Sequence, residues 1–329
     1  MKWLASIVAF IAVQATVASP VEKRASTNDV ANIGYATLNG GTTGGSGGTV
    51  TTVTSLSALT SAVAGSGKKV VIISGTITGN TVVRIGDNTS VLGAAGSSLV
   101  GVGLRVLDVS NVIIRNVKIS KVLAEAGDAI GVQNAHQVWV DHVDLSSDRD
   151  HDKVYDLFCE DSAILIHSNS YDGLLDITHG VTGITVSNSK LYDHWKASLV
   201  GHSDSNGAED TPMTVTFVGN YWSNLNSRTP SFRFGHGHIF NNYFENNNDG
   251  INTRDGAQLL VENNVWVGAK KPLYETDGGF AVAKGNDFGG GENTAPVGNF
   301  NTAPYSYSLI AVGSVVSSVT ASAGQTLTF

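Results

Sequence analysis

Asparagine returns every 22 residues through the second half of the chain, at Asn220, Asn242, Asn264 and Asn286, each in a similar patch: Gly219-Asn-Tyr-Trp, Asn241-Asn-Tyr-Phe, Asn263-Asn-Val-Trp and Gly285-Asn-Asp-Phe. A fixed period of this length marks a solenoid, whose turns bury their apolar faces only by stacking on one another. The turn is too short for a helical pair. Strings such as Val112-Ile-Ile-Arg-Asn-Val-Lys-Ile and Met213-Thr-Val-Thr-Phe-Val are β-branched and alternating, which predicts short strands. Extended backwards with a looser period, the register reaches Asn188 and Asn116, with His142 in the equivalent slot. In a parallel β-coil, inward asparagines can pass amide hydrogen bonds from turn to turn, so all six are expected to be structural and not part of a binding site.

The chain ends and composition bound the rest. Met1-Lys-Trp-Leu-Ala-Ser-Ile-Val-Ala-Phe-Ile-Ala-Val carries one positive residue, an apolar run and then small residues to Ala18, which reads as a secretory signal peptide over 1–18. That run is too short to span a membrane. Residues 19–24 end in Lys23-Arg24, read as a dibasic processing site, so the mature, secreted chain is expected to be a single domain over 25–329. A net charge of −8 excludes a nucleic-acid partner and suits an anionic polymer only where cations intervene locally. The single Cys159 rules out an internal disulfide, so stability must come from the stacked core. Asn88-Thr-Ser is an available glycosylation sequon. A monomer is expected.

Residues 39–48, mostly Gly and Thr, predict a flexible or tightly turning start to the coil, and Leu56-Ser-Ala-Leu-Thr-Ser-Ala-Val a short N-terminal helix capping its open end. One segment, 154–170, breaks the pattern and holds the cysteine. His142 and Asn188 are 46 residues apart; without these 17 the gap would be 29, in the range of the other early turns. The segment starts with Val, whose codons begin GT, and its coding length is a multiple of three bases. It reads as a translated, unspliced intron, against the alternative of a functional loop extension.

Asp172 and Asp176, four apart at the start of a strand-like run, are candidate oxygen ligands for a hard cation, although on spacing alone a solvated surface pair is the plainer reading. Asp128, about two turns earlier, would stack near them in a solenoid. Three carboxylates leave a calcium ion short of the six to eight oxygens it prefers, so an incoming carboxylate and water would complete the shell. On the following stretch, Lys196, Arg228 and Arg233 supply cations.

Taken in order, Trp139-Val-Asp-His, Asp172-x-x-x-Asp176, Lys196 and Arg228-x-Pro-x-x-Arg233 resemble the secreted fungal pectate lyases of the parallel β-helix type, over nearly all of the mature chain. The resemblance implies an all-β, right-handed, single-stranded parallel β-helix and calcium-dependent cleavage of polygalacturonate by β-elimination. It further implies Asp128, Asp172 and Asp176 as calcium ligands, Arg228 as the base, and Lys196 and Arg233 as contacts to substrate carboxylates. Arginine ordinarily stays protonated above pH 12, so an alkaline optimum is expected of such a base. The sequence departs from the pattern at Ala126, where many relatives place a second Asp, and at the insertion beside Asp172.

His142 and His194 are expected to be hydrogen-bonded structural residues, Trp195, Trp222 and Trp266 to pack, and Gly235-His-Gly to be a turn. Asp148-Arg-Asp-His-Asp opens like a calcium-binding loop but lacks its glycine and closing Glu. Two other readings stand beside the lyase: a calcium-independent pectin lyase acting on methyl-esterified substrate, which the three aspartates argue against, and an inactive polysaccharide-binding β-helix.

Overall fold

The structure is a computed structural model that describes residues 23–149 and 171–329. The signal peptide at 1–18, most of the 19–24 segment and the whole 154–170 insertion lie outside the described residues.

Parallel strands coil into a solenoid of about ten turns with three faces. One face is a ten-stranded parallel sheet running from Thr49–Val53 to Phe280–Lys284. The other two join in one sheet through the long strand Ser98–Leu107, whose first half pairs with Lys118–Ser120 and whose second half pairs with Ile130–Gln133. Beyond that point they separate. The second face continues through Asp144–Ser146, Lys190–Lys196, Tyr221–Ser227, Tyr243–Glu245 and Val265–Val267. The third continues through Leu175–Thr178, Leu199–Val200, Ser231–Arg233, Ile251–Arg254 and Leu273–Thr276.

Each turn sends alternate side chains inward, so like residues stack. Leu145, Leu191, Trp222, Phe244 and Trp266 form one such column, all buried, with the Phe244 and Trp266 rings parallel at 4.6 Å. Trp222 and Trp266 are therefore core, and Trp195 is half-buried. Helix Leu56–Ala62 caps the first turns as expected, with the Ser55 hydroxyl accepting from the Ala58 N–H and Leu59 fully buried. The closing Ser/Thr/Val stretch, not read as helical from sequence, forms a second helix, Val312–Ser322. It lays Val315 and Val319 on Tyr243 and Val265. Leu327–Thr328 then returns to pair in parallel with Lys23–Arg24.

The asparagine ladder is present. Asn220 Nδ2 donates to Asn242 Oδ1 at 3.0 Å, Asn242 to Asn264 at 2.9 Å and Asn264 to Asn286 at 3.0 Å. Each Oδ1 also accepts the backbone N–H of the preceding asparagine at 2.9 Å. The amides of Asn220, Asn242 and Asn264 are thereby satisfied in the interior, where the chain leaves the ladder of the ten-stranded face.

The earlier members are corrected by one position. Asn116, His142 and Asn188 align with Gly219, Asn241, Asn263 and Gly285, which precede the ladder. All seven have φ between +46° and +66°. This column turns the backbone through the left-handed region, which Asn, His and Gly tolerate best, and Ser189 holds the ladder position one turn before Asn220. The structural reading survives the shift. Asn116 donates to the Gly93 and Leu327 carbonyls, Asn188 to Asp141, and His142 pairs with Asp141 at 2.7 Å. Gly235-His-Gly is corrected too: only Gly235 is a bend, and His236 opens a strand through Phe240. Asn88 is hydrogen-bonded through both ends of its amide, to Ser66 and Asn111.

Two expectations follow. Replacing Asn242 with Ala orphans the Asn220 N–H in the interior and should cost about 3 kcal/mol, read as a lowered urea midpoint with unchanged m-value. His238 is buried between Glu262 and the Tyr305 hydroxyl, and burial pushes its imidazole from 6.5 down to about 4. Between those values the unfolded chain binds a proton that the folded chain refuses, so stability falls as pH drops from 6.5 towards 4. In H238Q that acid-side fall in melting temperature should be shallower.

Candidate active site

The corner between the second and third faces carries the chemistry-bearing residues. On successive turns it holds Asp128 ahead of Ile130–Gln133, Asp172 ahead of Leu175–Thr178, Lys196 ahead of Leu199–Val200, and Arg228 ahead of Ser231–Arg233. Asp176 and Arg233 lie just beyond the bend, on the third face. All six residues named from the sequence thus fall on four consecutive turns. The stacking is in register on both sides of residues 150–170: Asp176 pairs with Gly131, and Asp144 with Lys190.

Asp128 and Asp176 are nearly buried and meet across Gly173. The Gly173 N–H donates to Asp128 Oδ1 at 3.1 Å, and a methyl group placed at Gly173 would lie 2.5 Å from Asp176 Oδ1. The Leu199 N–H holds that same oxygen at 2.9 Å. Burial, then the Asp172 charge, pushes Asp128 up to about 6 against the pull of Arg105 and Arg228. Burial and Asp128 raise Asp176 well above the carboxylate range, with Arg228 opposing. Asp172 is more exposed; Lys196 Nζ lies 3.6 Å from its Oδ1, and His194 Nε2 donates to its carbonyl at 2.6 Å. His194, lowered by burial to about 4, is neutral, with Nδ1 facing the Ser147 hydroxyl. It is hydrogen-bonded as expected, and what it orients is the acidic loop.

Crowded carboxylates that raise one another's pKa call for a cation. Among the described residues no three acidic or histidine side chains already close around a common point. The donor set nonetheless fits a hard ion, because it is all oxygen.

Arg228 takes a left-handed conformation, φ +61°, ahead of the cis Thr229–Pro230 bond. The Thr229 hydroxyl that follows donates to the Asp249 carboxyl at 3.2 Å, which also accepts from Tyr274 at 3.0 Å. Burial raises Asp249 to about 6. Among the described residues the Arg228 guanidinium makes no ion pair. It lines a cleft of about 280 Å³ with Arg233, Arg254, His202, Asn252 and Tyr274. Arg233 is tied to Asp204 at 2.5 Å and Asp255 at 3.4 Å, and Arg254 to Asp204 and Asp277. Arg233 thus faces the cleft already shared between carboxylates.

Sequence reasoning missed Asp249, Arg254 and Tyr274. The repeat contained a signal: on this face the turn is 21 residues, Ser231 pairing with Asn252, so Asp249 stands one turn after Arg228. Arg254 pairs in register with Arg233.

The family model described as pectate lyase matches residues 3–326. The chain is 55% identical to probable pectate lyase A of Neosartorya fischeri across the full length of both, and 55% identical to pectate lyase A of Aspergillus niger over 95% of this chain and 93% of the relative. Among solved structures it superposes on a Bacillus pectate lyase in complex with trigalacturonate at a TM-score of 0.77, with 30% identity over 89% of this chain and 98% of the other. A pectate lyase from Acidovorax avenae gives a TM-score of 0.81 at 20% identity, over 96% and 99% of the two chains, a likeness of fold. With the coil, the acidic corner and the unpaired arginine together on four turns, the chain belongs to the pectate lyase family.

Proposed function

We propose that the secreted protein is a calcium-dependent lyase that cleaves polygalacturonate by β-elimination, leaving 4,5-unsaturated ends, with Arg228 as the base. The observation that carries this reading is the Arg228 guanidinium, free of any ion pair among the described residues and lining the cleft one turn after Lys196, where a cation held at the acidic corner would disfavour its charged form.

Asp128, Asp172 and Asp176 would hold the calcium ion, which when bound offsets the charge of a uronate carboxylate and acidifies the neighbouring C5 proton. Lys196 and Arg233 orient that carboxylate by charge-assisted hydrogen bonds, Lys196 exchanging Asp172 and Arg233 exchanging Asp204 for it. Arg228, in the neutral guanidine form that alkaline pH favours, takes the C5 proton. The C5 electron pair forms the C4–C5 double bond as the C4–O bond breaks. Water in the open cleft protonates the departing oxygen. Ala126 supplies no carboxylate, so a substrate carboxylate would complete the shell of an ion held by the three aspartates.

The test is ultraviolet absorbance of the unsaturated product from polygalacturonate at alkaline pH, with calcium or chelator, for the full chain and for one lacking 154–170. Absorbance that chelator abolishes is expected, with R228K losing roughly 10³-fold in kcat while still binding substrate. Activity indifferent to chelator and greater on esterified pectin would replace this reading with pectin lyase. Binding without absorbance from either chain would replace it with an inactive polysaccharide-binding β-helix.

Gly173 gives an independent check. In G173A the new methyl must displace the Asp176 carboxylate, so turnover should fall by about 10²-fold and half-maximal activity should require more calcium. Unchanged calcium dependence would remove Asp176 from the ligand set.

A further inference from the structure

Arg84 and Arg105 occupy one outward-facing column on adjacent turns, and the same column continues through Gly131 to Asp176. They stand on the N-terminal side of the acidic corner, on the opposite side from the cleft around Arg228. Arg115, Arg233 and Arg254 each hold at least one carboxylate. Neither Arg84 nor Arg105 forms an ion pair or a hydrogen bond among the described residues, and Arg105 Nε is a buried nitrogen without a partner. Arg105 lowers the Asp128 pKa by its charge, yet no ion pair joins the two. In a chain with 28 acidic residues against 20 basic, two arginines stacked on adjacent turns of this sheet are left without a carboxylate.

We propose that Arg84 and Arg105 form a second anion track that binds the carboxylates of a polyuronate beyond the reacting unit, extending the substrate site over two further turns. This rests on the polygalacturonate reading above. Neighbouring turns are about 4.8 Å apart, so the two guanidiniums present a rising pair of forked donors to a polymer that carries one carboxylate on each sugar and crosses the turns. Gly131 keeps the path open between Arg105 and Asp176. A long substrate is then held at several points at once, each added contact being intramolecular once the first is made.

The experiment is calorimetric binding of trigalacturonate and hexagalacturonate, with calcium, to the R228K chain and to R228K carrying R84Q and R105Q together. The expected result is that hexamer affinity falls roughly tenfold while trimer affinity changes little, so that the advantage of length collapses. A fully methyl-esterified hexamer should show no such advantage in either chain. Equal loss for trimer and hexamer would overturn the proposal and assign Arg105 to the acidic corner; an unchanged hexamer advantage would overturn it outright. Failure of the R228K chain to bind either free-acid oligomer would instead sink the polygalacturonate reading, and this proposal with it.

Discussion

Everything in this molecule depends on a backbone that hydrogen-bonds along the coil axis, turn to turn, and therefore has to bend three times per turn without leaving a buried polar group unmet. The strands satisfy themselves. The bends do not, and two kinds of residue solve the problem side by side: a left-handed residue that redirects the chain, and an inward asparagine whose amide replaces the lost backbone partners. Because an unmet buried amide costs as much as a good fraction of a domain's net stability, this arrangement is a condition of the fold and not an ornament on it.

That physical division explains which parts of the fold could be read. The ladder asparagines were visible because a side chain that hydrogen-bonds its own image one turn away must recur at the turn length. The neighbouring left-handed column was misread as part of the same series because Asn also serves there, and a one-residue offset is invisible where turn lengths vary, as between Asn116, His142 and Asn188. Helix Leu56–Ala62 was legible from its apolar spacing. Val312–Ser322 was not, because its serines, threonines and valines are weak helix formers and only packing on Tyr243 and Val265 makes it helical.

The site divides in the same way. Asp128, Asp172, Asp176, Lys196, Arg228 and Arg233 could be named because their order and spacing match a family pattern, and stacking does bring them to adjoining turns. What no linear pattern conveys is who restrains whom. Gly173 is what allows two carboxylates to approach, His194 ties down the Asp172 loop, and Asp249 links Tyr274 to the Thr229 hydroxyl next to Arg228. These are contacts between turns, set by side-chain direction. Arg233 shows the limit from the other side: its sequence position suggests a waiting cation, whereas the structure finds it already shared between Asp204 and Asp255.

The register of the coil also separates distance along the axis from distance along the chain. From His136 to Thr182 is 46 residues and from His236 to Gln258 is 22, yet each pair is one rung apart. A turn can therefore take up or shed a long external stretch at a corner while the groups above and below keep their spacing. In such an architecture the reactive constellation is inherited as a stack height, and the loops around it are free to diverge.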